Sequence, residues 1–420
     1  MTDLEQAKTI FFHGIGGSGM RGLAWLLHSQ GKRILGTDTN LPNDIDPAFK
    51  VVPESDATTL LQESDFYIHT DAVPPNHPLY LEAQSQGIPQ APYHFALGQF
   101  SQNYTVIAIA GTHGKSSTTA FLSHILITAG LDPTVLVGAS IPGWPGKNAR
   151  AGKTDLFVVE ADEYRDHFLS LTPAHAIITN IEYDHPDYFA ALSDVEASFQ
   201  SFINSITQTL TISIAIIEQN RLQIPTKATI VTPSSTVSPP LPGQHMAHNA
   251  SLAIAAATNF GISPEDAQRH LESFPGLHRR FEHIATIADT EIISDYAHHP
   301  REIAVTIDAA QQRYPHKKIG VIFEAHTAER LTVFRQDFAE ALKHADAVML
   351  YPPFLPEGRT QTEGLAAFSQ LSDSLPEAIA LKDKSNFVAL FREFIAKCDV
   401  VIACTAGNLD RELRTAVKQS

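Results

Sequence analysis

Short apolar runs recur along this chain, each closed by glycine or polar residues and separated by segments of helical period. Thr9–His13 and Arg33–Thr37 are the first two runs, with a helical pattern from Met20 to Ser29 between them. Asp65–His69 follows and leads into the proline-rich stretch Thr70–Pro78. Thr105–Ala110, Asp155–Val159 and Ala174–Thr179 are further strand-like runs, and Thr118–Leu126 reads as a helix. Residues 218–243 are polar and carry Pro233, Pro239, Pro240 and Pro242, which predicts a loop or a reduced excursion before a helix over His248–Asn259. Strands are then expected at Glu291–Tyr296, Lys318–Phe323, Asp346–Leu350 and Asp399–Ala403. Helices are expected from His298-His-Pro300 onward, over Thr332–His344 and over Asn386–Lys397. Continuous apolar strands alternating with helices predict open parallel sheets, buried on both faces by crossover helices. The pattern divides into three consecutive α/β blocks, 1–101, 102–282 and 283–420, with the charged link Leu277–Glu282 after Gly276 at the second boundary.

Composition narrows the class. A chain of 420 residues with 43% hydrophobic content can build a core in each of two to four domains. The net charge of −16 opposes a nucleic-acid partner but leaves a locally cradled nucleotide possible. Two cysteines, Cys398 and Cys404, are too few for a disulfide framework and suit a reducing compartment. No apolar run approaches the roughly 20 residues needed to span a bilayer, and the polar, acidic start is unlike a secretory signal. The expectation is a cytoplasmic protein with no membrane insertion. The 20 histidines are scattered rather than arrayed.

Two glycine turns carry candidate chemistry. Gly111-Thr-His-Gly-Lys-Ser-Ser-Thr118 follows a buried strand and opens a helix. Glycines at Gly111 and Gly114 let backbone N–H groups close on phosphates, Lys115 supplies a point charge, and the Ser116 hydroxyl can hold Mg²⁺. The loop is two residues shorter than an ordinary Walker loop. Upstream, Gly14-Ile-Gly-Gly-Ser-Gly19 also lies between a strand and a helix. Asp38 follows nineteen residues beyond Gly19, near the place of a ribose-binding acid. Alone, this block reads as a dinucleotide site. Acidic and imidazole groups then gather after two strands, as Glu160-Ala-Asp-Glu163 and Asn180-Ile-Glu-Tyr-Asp-His185. Carboxyl ends of parallel strands are where such sheets bind ligands. Glu160 is the first choice for a metal ligand. His185 could hold a second ion or contact phosphates, while Asp162, Glu163 and Asp184 could cap helices or touch substrate.

The ordered set of motifs resembles the Mur ligase family, the ATP-dependent amide-forming enzymes of peptidoglycan precursor synthesis. Gly14–Met20, Ala110–Lys115, Glu160–Glu163 and Thr179–His185 carry the resemblance. So do Gly243-Gln-His, Asn249, Arg279–Glu282, Asp295–Pro300 and His326-x-x-x-Arg330. It runs along nearly the whole chain and favours the branch acting on UDP-N-acetylmuramate and L-alanine. It implies a Rossmann-like N-terminal domain, a central P-loop ATPase-like domain and a C-terminal Rossmann-like domain. The first turn would then bind UDP rather than a nicotinamide cofactor, with Gly14, Gly16, Gly17, Ser18, Gly19 and Met20 at the diphosphate. Thr37, Asp38 and Thr70 would lie near the uridine. ATP would sit on Gly111, Thr112, His113, Gly114, Lys115, Ser116 and Ser117, with His245, Asn249, Arg280 and Asp295 on its far side. Mg²⁺ would be held by Ser116, Glu160 and His185. Lys115, His113, His298, His326 and Arg330 would serve catalysis, the last three facing the amino acid and the reacting carboxylate. An acyl phosphate made from ATP and the lactyl carboxylate would be captured by the amine. A monomer or homodimer is expected.

The chain departs from the family pattern in four places. Met246 replaces a common asparagine, and the 211–243 segment is short. Residues 193–201 contain no lysine, whereas several sister ligases use a carbamylated one there. Tyr164 and Arg165 replace a serine–aspartate pair. The alternatives are the branch that attaches a recycled tripeptide, a nicotinamide-dependent oxidoreductase and a non-catalytic nucleotide-binding relative. The oxidoreductase reading has no use for Lys115 and Ser116. The Ser18-Gly-Met20 turn favours the L-alanine branch over the tripeptide branch.

Overall fold

The computed structural model describes residues 4–39, 41, 45–225, 228–231, 237–354 and 361–419. Pro233 lies outside them. The chain forms two compact units, one of residues 1–181, 196–233 and 251–275, the other of 182–195, 234–250 and 276–420.

The first unit holds two sheets. The N-terminal sheet has five parallel strands: β1 Thr9–His13, β2 Arg33–Thr37, β3 Lys50–Val52, β4 Phe66–His69 and β5 Gln90–Pro92, in the order β3-β2-β1-β4-β5. The first glycine turn leaves β1 where neighbours lie to either side, the switch point at which ligands bind. The second sheet contains β6 Thr105–Ala110, β7 Thr134–Leu136, β8 Ala149–Arg150, β9 Leu156–Glu160, β10 His175–Ile178, β11 Thr209–Ser213 and β12 Ala228–Val231. Its order is β12-β11-β10-β6-β9-β7-β8, with only β7–β8 antiparallel. The central strand β6 is buried from Val106 to Ala110, as its unbroken apolar run requires.

The second unit is built on β13 Glu282–Ile287, β14 Thr290–Asp295, β15 Ile319–His326, β16 Ala347–Phe354, β17 Ile379–Ala380 and β18 Val400–Thr405. The order is β13-β14-β18-β15-β16-β17. The sheet is not wholly parallel, because β13 runs antiparallel to β14 through a tight hairpin. Each face has its own apolar core. One is centred on Ile307, Phe323 and Phe338, the other on Tyr351, Phe387 and Phe391. The helix expected over Thr332–His344 is two helices, Ala328–Val333 and Arg335–Leu342. The break falls at Phe334, whose backbone leaves the helical range at φ −101° while its ring packs edge-on against His299 at 4.9 Å.

Candidate active site

The second glycine turn is a backbone cradle. It begins where β6 ends. Gly111 has φ +142°, and a Cβ there would lie 1.9 Å from Thr179 Oγ1. Gly114, at φ 79°, caps the helix Lys115–Thr128 in the left-handed region. Only glycine adopts these conformations at little cost. The neighbouring strand β10 braces the turn. His113 N donates to Asn180 Oδ1 (2.8 Å), and Asn180 Nδ2 and Thr179 Oγ1 donate to His113 O (3.1 and 2.5 Å). The first turn of the helix therefore points its N–H groups outward at a fixed angle, an arrangement that favours anions.

Lys115 is folded onto this cradle. Its Nζ donates to Gly111 O (2.6 Å), Thr112 O (3.3 Å) and Glu163 Oε2 (2.7 Å). Burial alone would lower its pKa, but Glu163, Asp162 and Glu160 outweigh that effect and raise it. The ammonium is thus charged and already embedded in an acidic pocket. Ser116 Oγ donates to Glu160 Oε1 (3.1 Å), and Glu160 Oε2 accepts Gly138 N–H (2.6 Å). A Cβ at Gly138 would stand 2.9 Å from both carboxylate oxygens, so the glycine leaves that face open. A hydroxyl beside a carboxylate offers the hard oxygen donors that Mg²⁺ prefers. Ser117 and Thr112 are buried and complete the turn.

The first glycine turn is pinned by strand β2. Gly14 and Ile15 N–H groups donate to Thr37 O (2.9 and 3.2 Å), and Gly16 N–H donates to Asp38 Oδ2 (2.7 Å). Gly14 has φ +88°, and Thr70 packs where its Cβ would be. Gly17 precedes the helix Ser18–Ser29, in which Met20 is buried, and Asn148 Nδ2 donates to Ser18 O (2.9 Å). Gly19 admits the Tyr93 hydroxyl, 2.7 Å from where a Cβ would project. Thr37 is fully buried and its hydroxyl donates to Val52 O (2.8 Å), so its side chain supports the sheet beside the turn.

The second unit gathers the remaining residues. Asp295 is buried and accepts N–H groups from Phe281 (2.7 Å) and Ala297 (2.8 Å). Burial pushes its pKa up, opposed by the Arg280 charge and those two donors. His245 is lowered to about 4 by burial and then by Arg280, and His298 to about 4 by burial against the pull of Glu302. Both are neutral imidazoles at pH 7. His326 stacks on Phe354 at 5.5 Å and meets His298 edge-on at 6.0 Å. His299 caps the helix Pro300–Arg313 in a capping box with Glu302. Asn249 is buried in the helix Gln244–Ala257. His185 sits at φ 56° beside Asp184, with Nε2 4.0 Å from its Oδ2. Arg330 is committed. Its Nε and Nη2 hold Asp184 at 3.1 Å each, and both side chains are buried. Burial would raise the Asp184 pKa, yet the Arg330 charge holds it well below the usual carboxylate range. The geometry therefore fixes Arg330 through Nε and Nη2 on Asp184.

From sequence alone Glu163 reads only as a cap or substrate contact, and Thr179, Asn180, Gly138 and Tyr93 carry no role. Thr179-Asn180 directly after a buried strand was the available signal for the cradle's brace. Nothing local in the sequence marks Gly138 or Tyr93.

Residues 9–105 match the model described as "Mur ligase family, catalytic domain", 109–234 the "Mur ligase middle domain", and 279–409 the "Mur ligase, glutamate ligase domain". A UDP-N-acetylmuramate–L-alanine ligase of Caldanaerobacter subterraneus is 31% identical, covering 97% of this chain and 96% of the relative. One from Limosilactobacillus reuteri is 36% identical over 84% of this chain and 86% of its own. Among solved structures, a UDP-N-acetylmuramate-alanine ligase from Thermotoga maritima superposes with TM-score 0.81 at 23% identity, covering 98% of each chain. A murein peptide ligase from Psychrobacter arcticus gives 0.74 at 22% identity, over 98% of this chain and 99% of its own. With two glycine turns, a braced lysine cradle and relatives matched nearly end to end, the chain belongs to the Mur ligase family.

Proposed function

We propose that this protein ligates L-alanine to the lactyl carboxylate of UDP-N-acetylmuramate, with ATP hydrolysed to ADP and phosphate. The observation that carries the reading is the Lys115 cradle between Gly111 and Ser116, in a chain whose curated relatives of that activity cover it nearly end to end. Two anions, a carboxylate and a triphosphate, must be brought together, so the chief demand is charge neutralisation. Lys115 answers it once its ammonium turns from Gly111 O toward the outer phosphates. Glu163 keeps the lysine charged and aimed from below. Ser116 and Glu160 are the residues that would hold Mg²⁺, which supplies further neutralisation of the phosphates when bound. The N–H groups of the helix Lys115–Thr128 complete the anion site. The turn Gly14–Met20 supports the UDP diphosphate in the same way on a second helix. Through the family resemblance His185 is assigned to Mg²⁺, His245, Asn249, Arg280 and Asp295 to the ATP side, and His298 and His326 to the amine side. Burial keeps the His298 imidazole neutral, and the same shift makes it a weak base, which suits it to positioning the amine rather than taking its proton.

The test is phosphate release with UDP-N-acetylmuramate, ATP and Mg²⁺, and with each of L-alanine, L-serine, glycine and the recycled tripeptide as amine. Greatest turnover with L-alanine supports the reading. Preference for the tripeptide moves the assignment to the murein peptide branch, and no release with any amine removes it.

A further inference from the structure

Beside the first glycine turn, three side chains without a role in the proposed reaction converge at the carboxyl edge of the N-terminal sheet. His13 closes β1, Glu54 follows Pro53 after β3, and His77 precedes Pro78 at the start of the helix Pro78–Ser85. One nitrogen from each histidine and one carboxylate oxygen lie within 4.8 Å of one another. We propose that His13, Glu54 and His77 form a binding site for a divalent transition-metal ion, Zn²⁺ being the best match to the donor set.

The geometry favours convergence. The His13 and His77 rings meet edge-on, with centroids 4.6 Å apart and planes at 70°. Coplanar stacked rings aim their lone pairs side by side, whereas crossed rings can aim them at one point. His13 Nδ1 is bonded to the Tyr67 hydroxyl at 2.7 Å, which leaves Nε2 for an ion. A hydrogen bond at the ring's other nitrogen fixes its orientation, as outer partners of metal-binding histidines do. Burial, followed by the His77 charge, lowers the His13 pKa to about 4, so it is a neutral ligand at pH 7. His77 Nε2 and Glu54 Oε1 are already 2.6 Å apart. A tetrahedral ion with bonds of about 2.0–2.1 Å needs ligands about 3.3 Å apart, so this pair must open slightly.

The backbone makes the cost small. His13 is fixed in a parallel ladder against Thr37 and His69, and proline constrains the chain beside each of the other two ligands. His77 and Glu54 are 20% and 32% exposed, so an ion and its remaining waters can enter from their side. Two imidazoles and a carboxylate select Zn²⁺, Ni²⁺ or Cu²⁺ over Mg²⁺. One rearrangement is required. At present His77 Nδ1 accepts Leu79 N–H at 3.2 Å, so the ring proton sits on Nε2. Metal binding at Nε2 moves that proton to Nδ1 through solvent, and the imidazole stays neutral. Leu79 N–H then turns to water.

A second histidine cluster, Asp71 with His94 and His167, makes a poorer site and serves as the control. Its rings are stacked at 4.3 Å and 9°, so their lone pairs run parallel.

The experiment is calorimetric titration of the full chain with Zn²⁺ alone, ATP and Mg²⁺ omitted, together with nitrogen-15 NMR of His77. One tight equivalent is expected, and on binding His77 should change from the Nε2–H to the Nδ1–H tautomer. His77→Asn keeps a good helix cap. It and Glu54→Gln should each weaken binding by at least about 10–100-fold, the loss that even outer partners cause. His94→Asn, and Glu160→Gln at the candidate Mg²⁺ position, should bind the ion unchanged. Zinc binding indifferent to His77→Asn and Glu54→Gln, an unchanged His77 tautomer, or loss of binding in either control would overturn the proposal.

Discussion

Lys115→Ala should do two separable things. Lys115 is the cation that meets Glu163 at 2.7 Å, and the two side chains are only 13% and 2% exposed. Removing one partner of a buried pair costs about 3–5 kcal/mol, because the other charge stays buried without its counter-ion. That is a large share of the about 5–15 kcal/mol that holds a domain folded. Losing one charge from a phosphoryl-transfer site lowers turnover by about 10²–10³-fold. Adding Glu163→Gln separates the effects. The double variant has no buried carboxylate to strand, so most of the lost stability should return while turnover stays low. Urea unfolding and phosphate release, measured on the wild type, both single variants and the double variant, give the full cycle. A stability for Lys115→Ala within about 1 kcal/mol of wild type would refute the buried-pair argument. Recovered turnover in the double variant would refute the role of Lys115.

Three further outcomes follow from the same geometry. Gly111→Ala should abolish ATP binding and destabilise the fold, since its Cβ would fall 1.9 Å from Thr179 Oγ1; calorimetry with ATP and a melting curve check this. Asp184→Asn should cost about 3–5 kcal/mol by leaving Arg330 buried opposite a neutral amide, read as a lowered urea midpoint. In wild type the same pair adds stability above the unfolded aspartate pKa of about 3.9, lost as the pH falls toward the lower folded value. His13, His94, His245 and His298, each lowered to about 4, add an earlier effect. The unfolded chain protonates them below about pH 6.5 and the folded chain does not, so the melting temperature should start to fall there, and below about 4 the loss of the Asp184 contribution should carry the fall further.

The sequence reports what local chemistry decides. β1, β2 and β6 occupy the residues that their apolar runs mark, because strands buried on both faces need continuous apolar residues. The glycine turns are legible for the same reason: a left-handed backbone at Gly14 and Gly114 leaves few other choices. Longer-range decisions are not visible. At the helix break the Phe334 ring packs against His299, the cap of another helix and far away along the chain. The short strands β3, β5 and β17 are made by their neighbours rather than by their own pattern. At the site, Lys115 was evident, but its tie to Glu163 spans 48 residues. Likewise the Arg330–Asp184 pair joins residues 146 apart. Spacing along a chain carries no signal for such contacts.

In the proposed reaction the Lys115 cradle activates a carboxylate by letting ATP phosphorylate it. The direct measurement uses UDP-N-acetylmuramate with oxygen-18 in its lactyl carboxylate, turned over with ATP, Mg²⁺ and L-alanine. An acyl phosphate hands one carboxylate oxygen to the departing phosphate, so mass spectrometry should find one oxygen-18 in each phosphate released. Unlabelled phosphate accompanying amide product would contradict the account.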